Sequence, residues 1–337
     1  VRVPRILRYD EPAEMMVLED LSDVTFEAAL EGGKHRDALY TRAVDLLARL
    51  RAQTEREVDP TCLAFTRAFD EDLYDWELHH FREWGLEAWS GKKPTEAERA
   101  ELDRAFRDIA RQLSAAPRGF THRDYQSRNI MVKDGELVVI DFQDALQGPR
   151  QYDLVALLRD SYVELDRAFV DAMLDRYIAT FAEVTGERIE PTAFKAYFDL
   201  LTLQRKMKDA GRFEFINRVK GNPGFLVSIP ASLRYVKTAL DAQPQLAALQ
   251  KLAEEAQRNG SGIFRTGPLP TATLAMIFLA TYLRIMRAAM LEVMTQDFIR
   301  TARAKGLGET GVVVRHALRN ALLPMITLVG LQAGTML

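Results

Sequence analysis

The residues with the most chemistry in their spacing are Asp124 in His122-Arg123-Asp124, Asn129 five positions later, and Asp141 in Ile140-Asp141-Phe142. Moving a phosphoryl group onto a hydroxyl requires one carboxylate that orients the hydroxyl and accepts its proton. It also requires separate oxygen ligands that hold Mg²⁺ against the nucleotide phosphates. Asp124 fits the first task, and Asn129 with Asp141 fits the second. Magnesium binds one or two protein oxygens and fills its shell with water and phosphate, so an Asn/Asp pair suffices without any cysteine or histidine cluster.

These residues need elements that bring them together. Asn129-Ile-Met-Val and Leu137-Val-Val-Ile140 are strand-like runs joined through Lys133-Asp134-Gly135-Glu136, and Asp-Gly between apolar runs is a strong hairpin signal. Such a hairpin carries Asn129 at one end and Asp141 at the other, side by side on one metal ion. An ordinary hairpin after a charged loop is the alternative, and a lone His-Arg-Asp would support no more than that. With Asn and Asp both in register, the kinase-like reading is preferred. Upstream, Met15 to Leu21 reads as a strand running into a polar turn. Arg36 to Gln53 and Ala97 to Leu113 carry apolar residues at three- and four-residue spacing, the pattern of amphipathic helices.

On these motifs, residues from about 4 to 245 resemble the aminoglycoside phosphotransferase and choline kinase-like family, which shares the protein-kinase fold. Thr121-His-Arg-Asp-Tyr-Gln-Ser-Arg-Asn-Ile-Met131 and Ile140-Asp-Phe-Gln-Asp-Ala-Leu-Gln-Gly-Pro149 are most similar to bacterial cell-wall amino sugar kinases. The resemblance implies ATP and Mg²⁺ as cofactors and a hydroxyl of N-acetylmuramate or N-acetylglucosamine, the anomeric one, as acceptor. It implies that His122, Arg123 and Asp153 support the catalytic loop, Asp153 by capping a helix or bonding the loop backbone. It also makes Met15 to Leu21 the hinge between lobes, with adenine bonded to backbone near Glu19 and Leu21. Gln143 stands where protein kinases carry the Gly of Asp-Phe-Gly, as it does in sugar kinases of this type.

Family members carry a glycine-rich turn and a strand lysine ahead of the hinge, and the fourteen residues before Met15 contain neither. Gly32-Gly33-Lys34 follows the hinge, lacks Walker spacing, and reads as a loop. The expectation is a mostly α (α+β) protein-kinase-like fold lacking most of the N-lobe, with poor ATP affinity and turnover. Residues 1–22 would be the N-lobe remnant and hinge, and residues 23–250 the helical C-lobe.

Composition narrows the choice little further. The 337 residues suggest about two domains, and a net charge of −3 gives no sign of a nucleic-acid partner. The single cysteine, Cys62, excludes an internal disulfide, and no amino-terminal stretch resembles a signal peptide. Tyr74, Trp76, Phe81, Trp84 and Trp89 crowd one acidic stretch, and core packing is the expectation for most of them over a sugar-binding wall. His79 and His80 diverge on a helix and read as surface or packing residues. Lys206, Lys208, Arg212, Arg218 and Lys220 read as a solvated helix face outside the site.

Beyond residue 250 the text changes. Residues 251–265 read as a polar linker or junction. Thr266 to Leu283 and Asn320 to Leu337 each run eighteen residues without a charge, just the length of a membrane span, so two transmembrane helices are expected, with buried soluble helices as the alternative. The Arg/Lys-rich loop between them should stay in the cytoplasm. Asp297 to Gly306 and Arg315 to Pro324 resemble the coupling loop of dipeptide/oligopeptide ABC transporter permeases. The resemblance implies an ABC ATPase subunit as partner, docked at Ala302, Ala304, Gly306 and Pro324, and an inner-membrane location if the helices insert. Topology then conflicts with a cytoplasmic kinase part, because the first span would put residues 1 to 260 outside. A chimeric or fragmentary reading frame is the expectation that resolves it. Three functions remain open: a sugar phosphotransferase, a permease component of a peptide importer, and a non-catalytic kinase-like binding module.

Overall fold

A computed structural model of the chain describes residues 1–30, 35–88, 93–241 and 249–250. The chain divides into two units, Val1–Thr266 and Gly267–Leu337, and every element below belongs to the first. The Gly32-Gly33-Lys34 loop, Trp89, the joint at 251–265, both apolar runs and Ala302, Ala304, Gly306 and Pro324 lie outside the described residues. Among the described residues no helix is long and apolar enough to cross a membrane.

Helices make up most of this unit. Helix α1 (Phe26–Leu30) is short, and α2 (Arg36–Arg56) buries Tyr40, Ala43, Val44, Leu47 and Ala48 along one stripe. Helix α3 (Glu71–His80) starts on Asp70, whose carboxylate accepts the Leu73 N–H at 2.8 Å, and continues as π-helical turns through Phe81–Ala88. Helix α4 (Glu96–Ser114) opens on a capping box. The Thr95 hydroxyl accepts the Glu98 N–H while the Glu98 carboxylate accepts the Thr95 N–H, which fixes the start one residue before the apolar periodicity does. Helices α5 (Tyr152–Leu158), buried at all seven positions, α6 (Arg167–Thr185), α7 (Pro191–Lys220) and α8 (Ile229–Asp241) complete the lobe.

Helix α7 is the axis on which α3, α5 and α8 pack. Its 30 residues span about 45 Å, enough to reach from the core to the cleft described below. Gly211 lets it pass close to the end of α3, since a Cβ there would stand 2.9 Å from the Phe81 Cα. Backbone cannot yield as a flexible side chain can. We expect Gly211→Ala to lose about 1–3 kcal/mol of stability, read as a lower urea midpoint at unchanged slope.

Among the described residues strands form three separate antiparallel pairs: β1 (Ile6–Asp10) with β2 (Met15–Leu18), β3 (Gly119–Thr121) with β6 (Leu146–Gly148), and β4 (Ile130–Lys133) with β5 (Glu136–Val139). In the last pair Ile130 faces Val139 and Lys133 faces Glu136. Asp134 and Gly135 turn at φ 51° and 77°, the doubly positive geometry that matches strand twist. Strand β2 stops at Leu18, and residues 19–22 run on without regular structure. The next side chain, Glu19, folds back onto Arg2, Arg5 and Lys133, and Leu21 turns inward against Met131 and Val138.

Candidate active site

The loop from β3 to β4 carries Asp124 and Asn129 and is fixed by buried side chains from distant elements. Asp153, on α5 and 4% exposed, accepts the backbone N–H groups of His122 at 2.7 Å and Arg123 at 2.9 Å. Burial pushes its carboxyl above the usual value, against the pull of His122 and of those two N–H donors. Asp160 accepts the Ser127 N–H at 2.9 Å, and the Tyr125 hydroxyl donates to the Ala43 carbonyl at 2.9 Å. The His122 ring bonds the Ile140 carbonyl at 2.9 Å and meets Phe142 edge-on at 4.5 Å, tying this loop to the far end of the hairpin.

Asn129 and Asp141 meet where the hairpin opens. The Asn129 amide donates to the Asp124 carbonyl at 3.0 Å and to Asp141 Oδ2 at 3.2 Å, and Ile140 N–H donates to the Asn129 carbonyl at 3.0 Å. This use of the amide nitrogen leaves the Asn129 side-chain oxygen and Asp141 Oδ1 as hard acceptors, a donor set that fits Mg²⁺ completed by water and phosphate. Among the described residues no group of three His, Cys, Asp or Glu side chains that could hold a metal ion converges. Arg123 and Asp141 both hold φ at 77°, a left-handed backbone at each end of the site.

Asp124 faces a cleft of about 410 Å³ shared with Asn129, Asp141, Trp76, Arg205 and Lys208. Arg205, 3% exposed, donates to the Arg123 carbonyl at 2.8 Å and approaches Asp124 Oδ1 at 3.4 Å, with its guanidinium 4.8 Å from the Tyr152 ring centre. Burial works against its charge, but Tyr152, Asp209 and Asp124 hold its pKa above the ordinary value. Arg123 reaches Glu77 at 3.3 Å, itself bonded by Gln204 at 2.7 Å.

The charged run on α7 is only in part the solvated face its sequence suggests. Lys206 is 2% exposed and donates to Ser161 Oγ and Asp209 Oδ2, both at 3.0 Å, while Lys208 and Arg212 line the cleft. Arg212, Arg218 and Lys220 are exposed, as a solvated face would be, and only Lys206 of the run is fully buried. Residues 205, 208, 209 and 212 recur at three and four positions, so one helix face carries them all. That spacing was the available signal for the cleft residues Arg205, Lys208, Asp209 and Arg212. For Glu77, Ser161 and Tyr162 the sequence offered none.

Of the crowded aromatics, Tyr74 and Phe81 are core, whereas Trp76 is 58% exposed, stacks on His80 at 5.4 Å, and lines the cleft with it. Trp84 packs edge-on against Phe215 at 5.1 Å. His79 bonds the Asp75 carbonyl at 2.9 Å and Asp103 at 3.2 Å. Glu19 and Leu21 do not line the cleft, and the Glu19 N–H donates to the Arg5 carbonyl at 2.8 Å.

Residues 1–187 match the phosphotransferase enzyme family. The chain belongs to that family. An N-acetylmuramate/N-acetylglucosamine kinase of Pseudomonas aeruginosa is 34% identical over 257 residues, 75% of this chain and 72% of the relative. A choline kinase structure from Cryptosporidium parvum aligns with 74% of this chain and 76% of its own chain, at 10% identity and a TM-score of 0.48. The protein-kinase-like fold goes with the membership, and its mostly helical lobe is the one described above. Residues 219–337 match a second family, the binding-protein-dependent transport system inner membrane component. There the dipeptide transport system permease of Escherichia coli is 55% identical over 69 residues, and this chain spans 20% of its length. The second match begins inside the phosphotransferase lobe, since α8 packs on α7 through buried Leu233, Val236 and Leu240.

Proposed function

We propose that the first unit is an amino sugar kinase that moves the γ-phosphoryl group of ATP to a hydroxyl of N-acetylmuramate or N-acetylglucosamine, the anomeric one. The observation that carries the reading is the Asn129–Asp141 contact at 3.2 Å beside Asp124, at the floor of a cleft of about 410 Å³. Asp124 orients the sugar hydroxyl and takes its proton. Asn129 and Asp141 hold Mg²⁺, which would neutralise charge on the phosphates. His122, Arg123 and Asp153 keep the loop in shape. The kinase names of relatives at 30–34% identity support the substrate class.

The test uses the full chain with ATP, Mg²⁺ and each sugar, with the product identified by phosphorus NMR. Phosphorylated sugar is expected. In Asp141→Ala, Mg²⁺-dependent nucleotide binding should weaken at least about tenfold. A protein that binds the sugars and forms no product would be the non-catalytic binding module instead.

A second reading rests on the 55% identity to the dipeptide permease. It makes residues 266–337 a membrane segment at the inner membrane, with Ala302, Ala304, Gly306 and Pro324 in the loop that meets an ABC ATPase subunit. It requires that only detergent extract the chain and that a dipeptide-system ATPase capture it; extraction by carbonate would overturn it.

A further inference from the structure

We infer that Arg212 is the specificity residue that reads a carboxylate on the sugar, favouring the acidic N-acetylmuramate over the neutral N-acetylglucosamine. The inference rests on the amino sugar kinase reading and adds to it the group that separates two hexosamines differing by one lactyl ether.

The argument starts from how the cleft's charges are spent. Arg123 is paired with Glu77 at 3.3 Å, Arg205 approaches Asp124 at 3.4 Å, and Lys208 approaches Asp209 at 3.6 Å. Arg212 lines the same cleft, is exposed, and among the described residues has no carboxylate partner. Its guanidinium rests 5.5 Å from the Phe215 ring centre, beside the wall formed by Trp76 and His80. An exposed aromatic such as Trp76 suits the apolar face of a pyranose, and a guanidinium lining the same cleft offers a planar fork that matches a carboxylate.

Position along the helix supplies the reach. Arg205, which contacts Asp124, and Arg212 stand seven residues apart on one face of α7, about 10 Å along its axis. A hexose whose anomeric hydroxyl lies at Asp124 and whose ring carries a short acidic arm spans that interval. Asp144, another acid of the cleft, sits instead three residues beyond Asp141, on the metal side. A cationic arm at the Arg212 end would meet like charge.

The test measures binding of N-acetylmuramate, its lactyl amide and N-acetylglucosamine to the full chain by calorimetry, in the natural protein, Arg212→Gln and Arg212→Lys. A charge-assisted contact in an open cleft corresponds to about a tenfold preference for the acid over the amide. We expect that preference in the natural protein, its loss in Arg212→Gln, and part of it kept in Arg212→Lys, which retains charge without the fork. If both sugars bind and the acid-to-amide ratio is the same in all three proteins, Arg212 is not the reader. If the natural protein binds and phosphorylates neither sugar, the amino sugar reading fails and takes this inference with it. Because the acid-to-amide comparison is made first in the natural protein, a variant that misfolds does not blunt it.

Discussion

Asp124→Asn should lower the rate of sugar phosphorylation by about 10²- to 10⁴-fold, the range for removing a positioned proton acceptor. The substitution keeps the shape of the side chain and removes its ability to take the hydroxyl proton. Its surroundings should change little, because the loop is held from behind by Asp153, Asp160 and Tyr125 and not by Asp124 itself. Arg205 keeps its bond to the Arg123 carbonyl at 2.8 Å. Nucleotide affinity should therefore stay near that of the natural protein while turnover collapses. Single-turnover measurement at saturating ATP checks this; a loss of less than tenfold would remove Asp124 from the role of proton acceptor.

The second large effect concerns stability. Lys206 is buried, with Asp209 and Ser161 as its partners at 3.0 Å and the Tyr235 ring centre at 5.8 Å. Asp209→Asn takes the counter-charge away and leaves an ammonium in the interior, a loss of about 3–5 kcal/mol. Burial alone would raise the Asp209 pKa, but Lys206, Lys208 and Arg205 overcome it and hold the carboxyl well below the carboxylate range. A depressed native pKa places this contribution above the unfolded value of about 3.9 and removes it as pH falls through that value toward the native one. The gap in unfolding free energy between the natural protein and Asp209→Asn should be full at pH 7 and shrink below about pH 4. Denaturant titrations across that interval check it, and a gap independent of pH would mean that some other contact is lost.

What the chain disclosed in advance follows the range of the interactions involved. The Asp134-Gly135 turn rests on neighbours in sequence, so local chemistry carries it, whereas the Thr95 cap sets the α4 start one residue ahead of the Ala97 that apolar spacing marks. Tyr74 and Trp76 show where local reasoning stops. Two residues apart on a helix, they point to nearly opposite sides, and only the tertiary packing decides which side is core. The cationic face of α7 was misread in part, for a related reason. Its partners Ser161, Asp124 and the Arg123 carbonyl lie 45 to 82 residues away, and a charge pattern is the same whether it meets water or a cleft. The ion pairs of Glu19 with Arg2 and Lys133 are again contacts that spacing does not reveal.

The left-handed backbone at Arg123 and Asp141 bears on how this protein would respond to selection. Each conformation costs a non-glycine residue on the order of 1 kcal/mol, and glycine at either position would relieve it. A library sorted for heat resistance alone should drift toward glycine at both ends of the cleft. Thermal fitness and catalytic fitness pull these two codons in opposite directions, so thermostabilised descendants would need a screen for turnover in every round.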